Sequence, residues 1–285
     1  MHTQRIVVGY DGSIEARDAV GWAVAEAERT GAGLHIVYAY ELAWPGAEYD
    51  GPVAEMTAEA QDRGDRLIAE ITDHVRRRGT GVKVVGTAVH AAPAPTLIGL
   101  GDADADLIVV GNRGGGGLAN LLLGSVSLQV ATHARTPVVV VRGRHDAADG
   151  PVVVGVDGSA SADAALAIGF EAARSRGTGV LAVRAYVPPA VTALPYSVIE
   201  TTERQMLEVS LAGWREKYPS VTVEATLANG RTAQVLLDAS RTAQLLVVGS
   251  RGHGGFTGLL LGSVGQQLMH HAECPVLIVH AAPAT

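Results

Sequence analysis

The sequence has little of several residue types, and each shortage excludes a class of protein. Only one cysteine, Cys274, occurs in 285 residues, which excludes an internal disulfide and is typical of a reducing compartment. No apolar run is long enough to span a membrane. Lysine and arginine number 22 against 29 acidic residues, and the net charge of −7 argues against a nucleic-acid-binding surface. We therefore expect a cytoplasmic protein with no signal peptide, membrane span or nucleic-acid partner.

Aromatic residues are also scarce, at 4% of the chain, whereas apolar residues make up 47%. The apolar residues are mostly valine, leucine, alanine and isoleucine, a composition that favours buried parallel strands covered by alanine-rich helices. Cys274 stands just before Pro275 in an apolar context, so we expect its thiol to pack in a core.

A glycine pattern occurs twice in the chain. Residues 111–114 read GNRG and residues 124–125 read GS; residues 249–252 read GSRG and residues 262–263 read GS. Each copy follows a short apolar run and precedes a helix-like segment. A glycine-rich loop between a strand and a helix N-terminus lets backbone N–H groups approach an anion, which the helix dipole also favours. The pattern therefore predicts two phosphate-binding sites.

The two glycine patterns belong to a longer internal repeat. Residues 107–142 align without gaps on residues 245–280, with about 20 of 36 positions identical. The second copy is 8 residues shorter, and we expect the missing residues in the loop after the second strand, near 44–52. The polar segment GRHDAADG at 143–150 is typical of a linker. We predict two domains, at 1–143 and 151–285.

Strands and helices alternate in each copy, which predicts a parallel sheet with helices on both faces and ligands beyond the carboxyl ends of the strands. In the first copy we predict strands at about 5–10, 33–39, 82–88, 107–111 and 137–142, and helices at about 14–30, 55–78, 94–102 and 125–134.

Asp11 and Asp157 end the first strand of each copy in the same Asp-Gly-Ser context. Each carboxylate could contact a ligand, or it could only form an Asx turn that leads into the helix. Ser125 and Ser263 stand where a helix N-cap is expected, a role that is compatible with phosphate contact.

The glycine loops differ from the common phosphate-binding motifs. No lysine follows the last glycine, as a Walker A motif would require, and the loop does not follow the first strand, as in a dinucleotide fingerprint. The cations available are Arg113 and Arg251, at matching positions, and each could instead be a solvated loop residue. His133 and His271 are expected at helix C-termini, and no general base is evident near the loops.

These motifs resemble the universal stress protein family over essentially the whole chain, as two tandem domains similar to those of actinobacterial and mycobacterial members. The signature Gly-x2-Gly-x9-Gly-Ser is present twice, each time with the strand-one aspartate. The resemblance implies two open, Rossmann-like five-stranded parallel sheets of strand order 3-2-1-4-5. It also implies that the fifth strands, 137–142 and 275–280, pair within the chain and so cover two sheet edges.

The resemblance further implies one ATP in each domain, with Mg2+ bridging phosphate oxygens, a homodimer and a regulatory protein partner. Gly9, Asp11, Gly155 and Asp157 would contact the adenosine, and the backbone of Ala39 and Ala185 would meet the adenine. The remaining contacts, to ribose and phosphates, would come from the two glycine loops and the helix starts: Gly111, Arg113, Gly114, Gly115, Gly116, Gly117, Gly124, Ser125 and Val126, and Gly249, Arg251, Gly252, His253, Gly254, Gly255, Gly262, Ser263 and Val264.

Three functions remain open on the sequence. The first is an ATP-binding stress-response protein whose occupancy controls conformation or partner choice, without enzymatic activity beyond weak ATP hydrolysis. The second is a slow ATPase or nucleotide hydrolase, which would need a positioned base. The third is a dimerisation scaffold that binds no nucleotide.

Overall fold

The structure is a computed structural model that describes residues 4–41, 53–115, 122–189, 194–252 and 261–281. The chain divides into two compact units, unit 1 (Met1–Thr136) and unit 2 (Pro137–Thr285). The predicted domains, 1–143 and 151–285, follow the sequence repeat, whereas the compact units divide before the fifth strand.

Unit 1 is a parallel sheet of strand order β3-β2-β1-β4. Its elements are β1 (Arg5–Gly9), α1 (Ile14–Thr30), β2 (Gly33–Tyr40), α2 (Val53–Arg77), β3 (Val84–His90), α3 (Pro93–Asp104), β4 (Leu107–Gly111) and α4 (Ser125–His133). The caps explain the bounds of α1: the Ser13 hydroxyl accepts a hydrogen bond from Ala16 N, and Gly31 ends the helix in the left-handed conformation, at φ 72°.

Unit 2 repeats this arrangement and has one additional strand at its edge. Its elements are β5 (Val138–Val141), β6 (Val152–Gly155), α5 (Ala160–Arg176), β7 (Val180–Tyr186), α6 (Tyr196–Lys217), β8 (Val223–Asn229), α7 (Thr232–Ser240), β9 (Leu245–Gly249), α8 (Ser263–His271) and β10 (Val276–Val279). The strand order is β5-β10-β9-β6-β7-β8, and β5 pairs antiparallel with β10 while the other strands run parallel.

The predicted α/β class is confirmed, and the order 3-2-1-4-5 is found in full in unit 2 as β8-β7-β6-β9-β10. The expected count of five strands in each sheet is wrong for these units. Unit 1 has four described strands and unit 2 has six, because β5 belongs to unit 2. The implied pairing of the fifth strands is confirmed: Val138 lies opposite Ile278, and Val140 opposite Val276.

Each sheet has a nearly continuous apolar core. Strands β5, β9 and β10 are buried along almost their whole length, as expected for strands covered on both faces. Helix α5, which packs against β9 and β10, presents small residues such as Ala165 and Ala173, which are fully buried. Cys274 is fully buried in unit 2, as predicted, and burial raises the pKa of its thiol to about 12.

The predicted linker, 143–150, forms no helix or strand and is fixed to the rest of unit 2 at both ends. The Arg144 N–H donates to the carbonyl oxygen of Glu273 at 2.8 Å. The Gly150 carbonyl accepts hydrogen bonds from the Thr178 hydroxyl at 2.8 Å and from Gln244 Nε2 at 2.7 Å.

The length difference between the copies extends beyond the loop where we expected it. Helix α2 has 25 residues and α6 has 22, so part of the difference lies in the helix. Part of the loop itself, at 42–52 in the first copy and 190–193 in the second, lies outside the described residues.

Candidate functional site

A cavity of about 580 Å³ lies in unit 1 at the carboxyl ends of β1, β2 and β4, where parallel sheets bind ligands. Its volume is within the range of small-molecule sites, about 300–1,000 Å³. The described lining residues are Gly9, Tyr10, Asp11, Glu15, Ala16, Val37, Ala39, Pro93, Leu97, Val110, Gly111, Arg113, Gly114, Gly124, Ser125, Val126 and Ser127. The cavity therefore brings together the β1 aspartate, the end of β2, the glycine loop and the start of α4.

Asp11 connects the end of β1 to the glycine loop. Its Oδ1 atom accepts a hydrogen bond from Ser13 N at 2.9 Å, and its Oδ2 atom accepts one from Gly115 N at 2.8 Å. The first bond is the predicted Asx turn into α1. The second holds the loop after β4 against the end of β1, so the turn and the site share one carboxylate.

Two glycines in unit 1 allow close approaches that a side chain would prevent. A Cβ at Gly114 would lie 2.4 Å from Asp11 Oδ2, and a Cβ at Gly111 would lie 2.7 Å from the carbonyl oxygen of Glu15. Gly111 therefore lets the end of β4 contact the first turn of α1. Gly114 leaves room for the carboxylate that holds the loop.

Helix α4 begins at Ser125, one residue before the start that an N-cap at Ser125 implies, so the N-cap prediction for Ser125 is wrong. Gly124 is the N-cap residue, at φ −75° and ψ 151°, and no side chain caps the helix. Glycine has no side-chain oxygen to accept from the first-turn N–H groups, which remain available to a ligand. The same holds in unit 2, where Gly262 is the N-cap residue of α8 and Ser263 is its first residue.

Ser127 is a site residue that the sequence did not indicate. Its buried hydroxyl donates a 2.6 Å hydrogen bond to the carbonyl oxygen of Gly111, which joins α4 to the end of β4. The equivalent residue in the second copy is Gly265, so a comparison of the repeats gives no signal for this serine.

Arg113 is paired with a carboxylate that faces the same cavity. Its Nη2 atom lies 2.8 Å from Glu15 Oε1, and both side chains are partly exposed. The sequence suggested Arg113 as a phosphate contact but gave no indication of Glu15, because the residue at its position in the second copy, Ser161, is uncharged.

Unit 2 carries an equivalent set of groups, which we call the second site: Asp157, Ser159, Ser161, Arg251 and Gly252. Asp157 Oδ1 accepts a hydrogen bond from Ser159 N at 2.9 Å, as Asp11 does from Ser13. A Cβ at Gly252 would lie 2.4 Å from Asp157 Oδ2, the distance found at Gly114. Ser161 differs, because its hydroxyl donates to the carbonyl oxygen of Arg251.

The remaining predicted residues fall into three groups. Gly155, Ala185 and Gly249 lie at the carboxyl ends of β6, β7 and β9. Val264 is the second residue of α8. The positions outside the described residues are Gly116 and Gly117 in the first loop and His253, Gly254 and Gly255 in the second.

The histidines at the helix ends stand apart from both loops. His133 and His271 are the last residues of α4 and α8, as predicted, and the His133 ring contacts the Gln129 carbonyl oxygen at 2.9 Å. Within the described ranges, no group of three or more His, Cys, Asp and Glu residues could hold a metal ion.

Known proteins are similar to this sequence along nearly its whole length. The model of the universal stress protein family matches residues 2–142 and 150–280. A universal stress protein of Mycobacterium tuberculosis is 34% identical over 287 residues, with 96% of each chain covered. Another, from Mycolicibacterium smegmatis, is 36% identical over 289 residues, also with 96% of each chain covered.

The chain belongs to the universal stress protein family. The solved structure of a universal stress protein from Archaeoglobus fulgidus has the same fold, with a TM-score of 0.73 at 18% identity; 99% of this chain and 100% of that chain are covered. No helix in the described part of this universal stress protein is long and apolar enough to cross a membrane.

Proposed function

We propose that this universal stress protein binds ATP with Mg2+ in the unit 1 cavity and at the second site, and that occupancy regulates its choice of protein partner. One observation carries the proposal. The cavity combines a carboxylate at the end of β1, a glycine loop and an uncapped helix N-terminus within one space of about 580 Å³.

The lining residues suit the two ends of a nucleotide. Val37, Ala39 and Leu97 give an apolar wall for a base, and the Asp11 carboxylate is an acceptor for ribose hydroxyls. The N–H groups at the start of α4 and the backbone of the glycine loop are donors for phosphate oxygens. The proposal therefore assigns the adenosine to the β1 and β2 ends and the phosphates to the loop and α4.

Mg2+ would bind at this site mainly through the phosphates of the nucleotide. Mg2+ is commonly bound by one or two carboxylates together with substrate phosphates and water. The described residues hold no cluster of metal-ligating side chains, so the phosphates would connect most of the Mg2+ coordination to the site.

The residues around the cavity favour binding over catalysis. The titratable residues among those described as lining it are Tyr10, Asp11, Glu15 and Arg113. Asp11 accepts two backbone hydrogen bonds and Glu15 is paired with Arg113, so both carboxylates have partners. A general base must be within hydrogen-bond reach of the proton that it removes, whereas these two carboxylates are held by other groups of the protein. ATP hydrolysis distinctly above background would instead support the hydrolase alternative.

Binding is tested by calorimetric titration of the full chain with Mg-ATP. The double variant Asp11→Ala, Asp157→Ala removes the carboxylates that follow β1 and β6, and we expect binding to weaken at least about tenfold, as for lost charged hydrogen bonds. The matched control is Asp146→Ala, Asp149→Ala, which removes the same charge from exposed positions in the 143–150 segment. Equal affinity in the double variant and the wild type would contradict the assignment of these carboxylates.

A homodimer and a regulatory protein partner form part of the proposal and are supported by the family resemblance. A cytoplasmic location also forms part of it and is supported by the single cysteine, which is typical of a reducing compartment. Sedimentation of the purified protein with and without Mg-ATP tests for the homodimer. A dimer whose dissociation constant changes with ATP would support regulation through assembly. A monomer at every concentration would contradict the homodimer.

A further inference from the structure

The two halves differ at one charged position beside the predicted phosphate contacts. Ser13 and Ser159 cap α1 and α5 in the same way, each hydroxyl accepting a hydrogen bond from the N–H three residues later. Two residues after each cap, the first half has Glu15 and the second has Ser161. The repeat therefore places a carboxylate in one site and a hydroxyl in the other.

In unit 1 the carboxylate binds the loop arginine. Glu15 and Arg113 both line the cavity, 2.8 Å apart, with side chains 26% and 42% exposed. A phosphate that enters this cavity meets a guanidinium whose charge is already partly neutralised. It also meets the negative charge of Glu15 itself, which repels it.

In unit 2 the loop arginine is bound through its backbone. The Ser161 hydroxyl donates to the Arg251 carbonyl oxygen, and Ser159 Oγ lies 3.4 Å from the same oxygen. No carboxylate of the described residues forms an ion pair with the exposed Arg251 side chain. The second site therefore holds its loop with a hydroxyl, and has no counterpart of the Glu15 carboxylate beside the arginine.

We infer that the second site binds the phosphates of ATP more tightly than the first, and that Glu15 sets the difference. This inference rests on the proposed binding of ATP at both sites. Exposed ion pairs are worth little, so we expect about a fivefold difference in dissociation constant at low salt. The difference should shrink as added salt screens the charges.

The test measures each site in the full-length protein by calorimetric titration with Mg-ATP. Asp157→Ala weakens the second site and Asp11→Ala weakens the first, so a two-site fit of each titration gives the dissociation constant of the unchanged site. In the Asp157→Ala background, Glu15→Ser gives the first site the residue of the second, and we expect its dissociation constant to fall about fivefold. Glu28→Ser is the matched control, because it removes the same charge from an exposed position on α1 outside the cavity.

A double-mutant cycle with Arg113→Gln separates the ion pair from general repulsion. If Glu15 acts through Arg113, the gain from Glu15→Ser becomes smaller once the arginine is removed. The titrations are repeated at low and high salt, and the gain should be larger at low salt. These two readouts would not change if Glu15→Ser only altered the stability of α1.

The other outcomes contradict either the inference or the proposed function. Equal dissociation constants at the two sites, with no change in Glu15→Ser, would contradict the inference and leave ATP binding intact. Weaker binding in Glu15→Ser would show that the carboxylate holds Arg113 in place for the phosphate, the opposite of the inference. Absence of binding at both sites of the wild type would instead contradict the proposed function.

Discussion

The backbone N–H of Gly115 donates a 2.8 Å hydrogen bond to the carboxylate of Asp11, 104 residues earlier in the chain. This bond fixes the glycine loop to the end of β1. It requires that the residue before Gly115 have no side chain, because a Cβ at Gly114 would lie 2.4 Å from the same oxygen. The family signature thus has a local cause in unit 1: its second glycine makes room for the strand-one aspartate.

We expect Gly114→Ala combined with Gly252→Ala to weaken the binding of Mg-ATP by about tenfold without unfolding the protein. Each added methyl group displaces a carboxylate, Asp11 or Asp157, from the loop that it contacts. Calorimetric titration measures the affinity, and thermal unfolding without nucleotide measures the stability.

Gly99→Ala combined with Gly213→Ala is the control for that pair of variants. Both glycines lie in helices, and a Cβ at either position would meet no atom within 4 Å. The control should bind Mg-ATP as the wild type does. Unchanged affinity in Gly114→Ala, Gly252→Ala would contradict the role of the glycine loops.

Gly111→Ala should lower the free energy of unfolding by about 2 kcal/mol, as overpacking of a closely packed site does. The new Cβ would lie 2.7 Å from the Glu15 carbonyl oxygen, a backbone atom that has little freedom to move. Urea unfolding measures the change. Gly115→Ala, where the methyl group enters open space, should cost much less; an equal cost would show that the contact is not the cause.

Ser127→Ala should destabilise the protein by about 1–2 kcal/mol, because the Gly111 carbonyl oxygen loses a buried hydrogen bond. Ser125→Ala, two residues earlier on the same helix, is the comparison, since no described group hydrogen-bonds to its hydroxyl. Urea unfolding of both variants should show a loss only for Ser127→Ala. Equal stabilities would contradict the structural role of Ser127.

The buried thiol of Cys274 predicts a loss of stability at high pH. Burial raises its pKa from 9.0 to about 12. Between these values the unfolded thiol releases its proton while the folded thiol keeps it, so the free energy of unfolding falls with rising pH. The limiting slope for one group is about 1.4 kcal/mol per pH unit.

Cys274→Ala lacks this titration, so its unfolding free energy should fall less steeply between pH 9 and 12. Urea unfolding across this range measures both slopes. Below pH 9 the thiol is protonated in both states, and the two slopes should agree. Parallel curves up to pH 12 would show that the thiol does not contribute.

The sequence predicted those elements whose boundaries are set by local chemistry. Helix α1 was expected at about 14–30 and lies there, because Ser13 caps one end and Gly31 the other. Helix α4 was expected to have Ser125 as its N-cap. Gly124 takes that position instead, and no side chain caps this helix start.

Contacts between distant residues were harder to predict. The repeat drew attention to groups that both copies share, such as Asp11 and Asp157, and gave no signal for those that differ. Glu15 and Ser127 therefore could not be predicted from the repeat, since the second copy has Ser161 and Gly265 at those positions. The assignment of β5 to unit 2 also depends on long-range pairing, which periodicity does not encode.

Both halves of the chain are proposed to bind adenine nucleotide. The most direct measurement is to denature the purified protein, identify the released nucleotide by chromatography and mass spectrometry, and complete the count by titrating nucleotide-free protein with Mg-ATP. We expect two ATP per chain, released on denaturation or bound on titration. No released nucleotide and no binding on titration would contradict the proposal and favour a scaffold that binds no nucleotide.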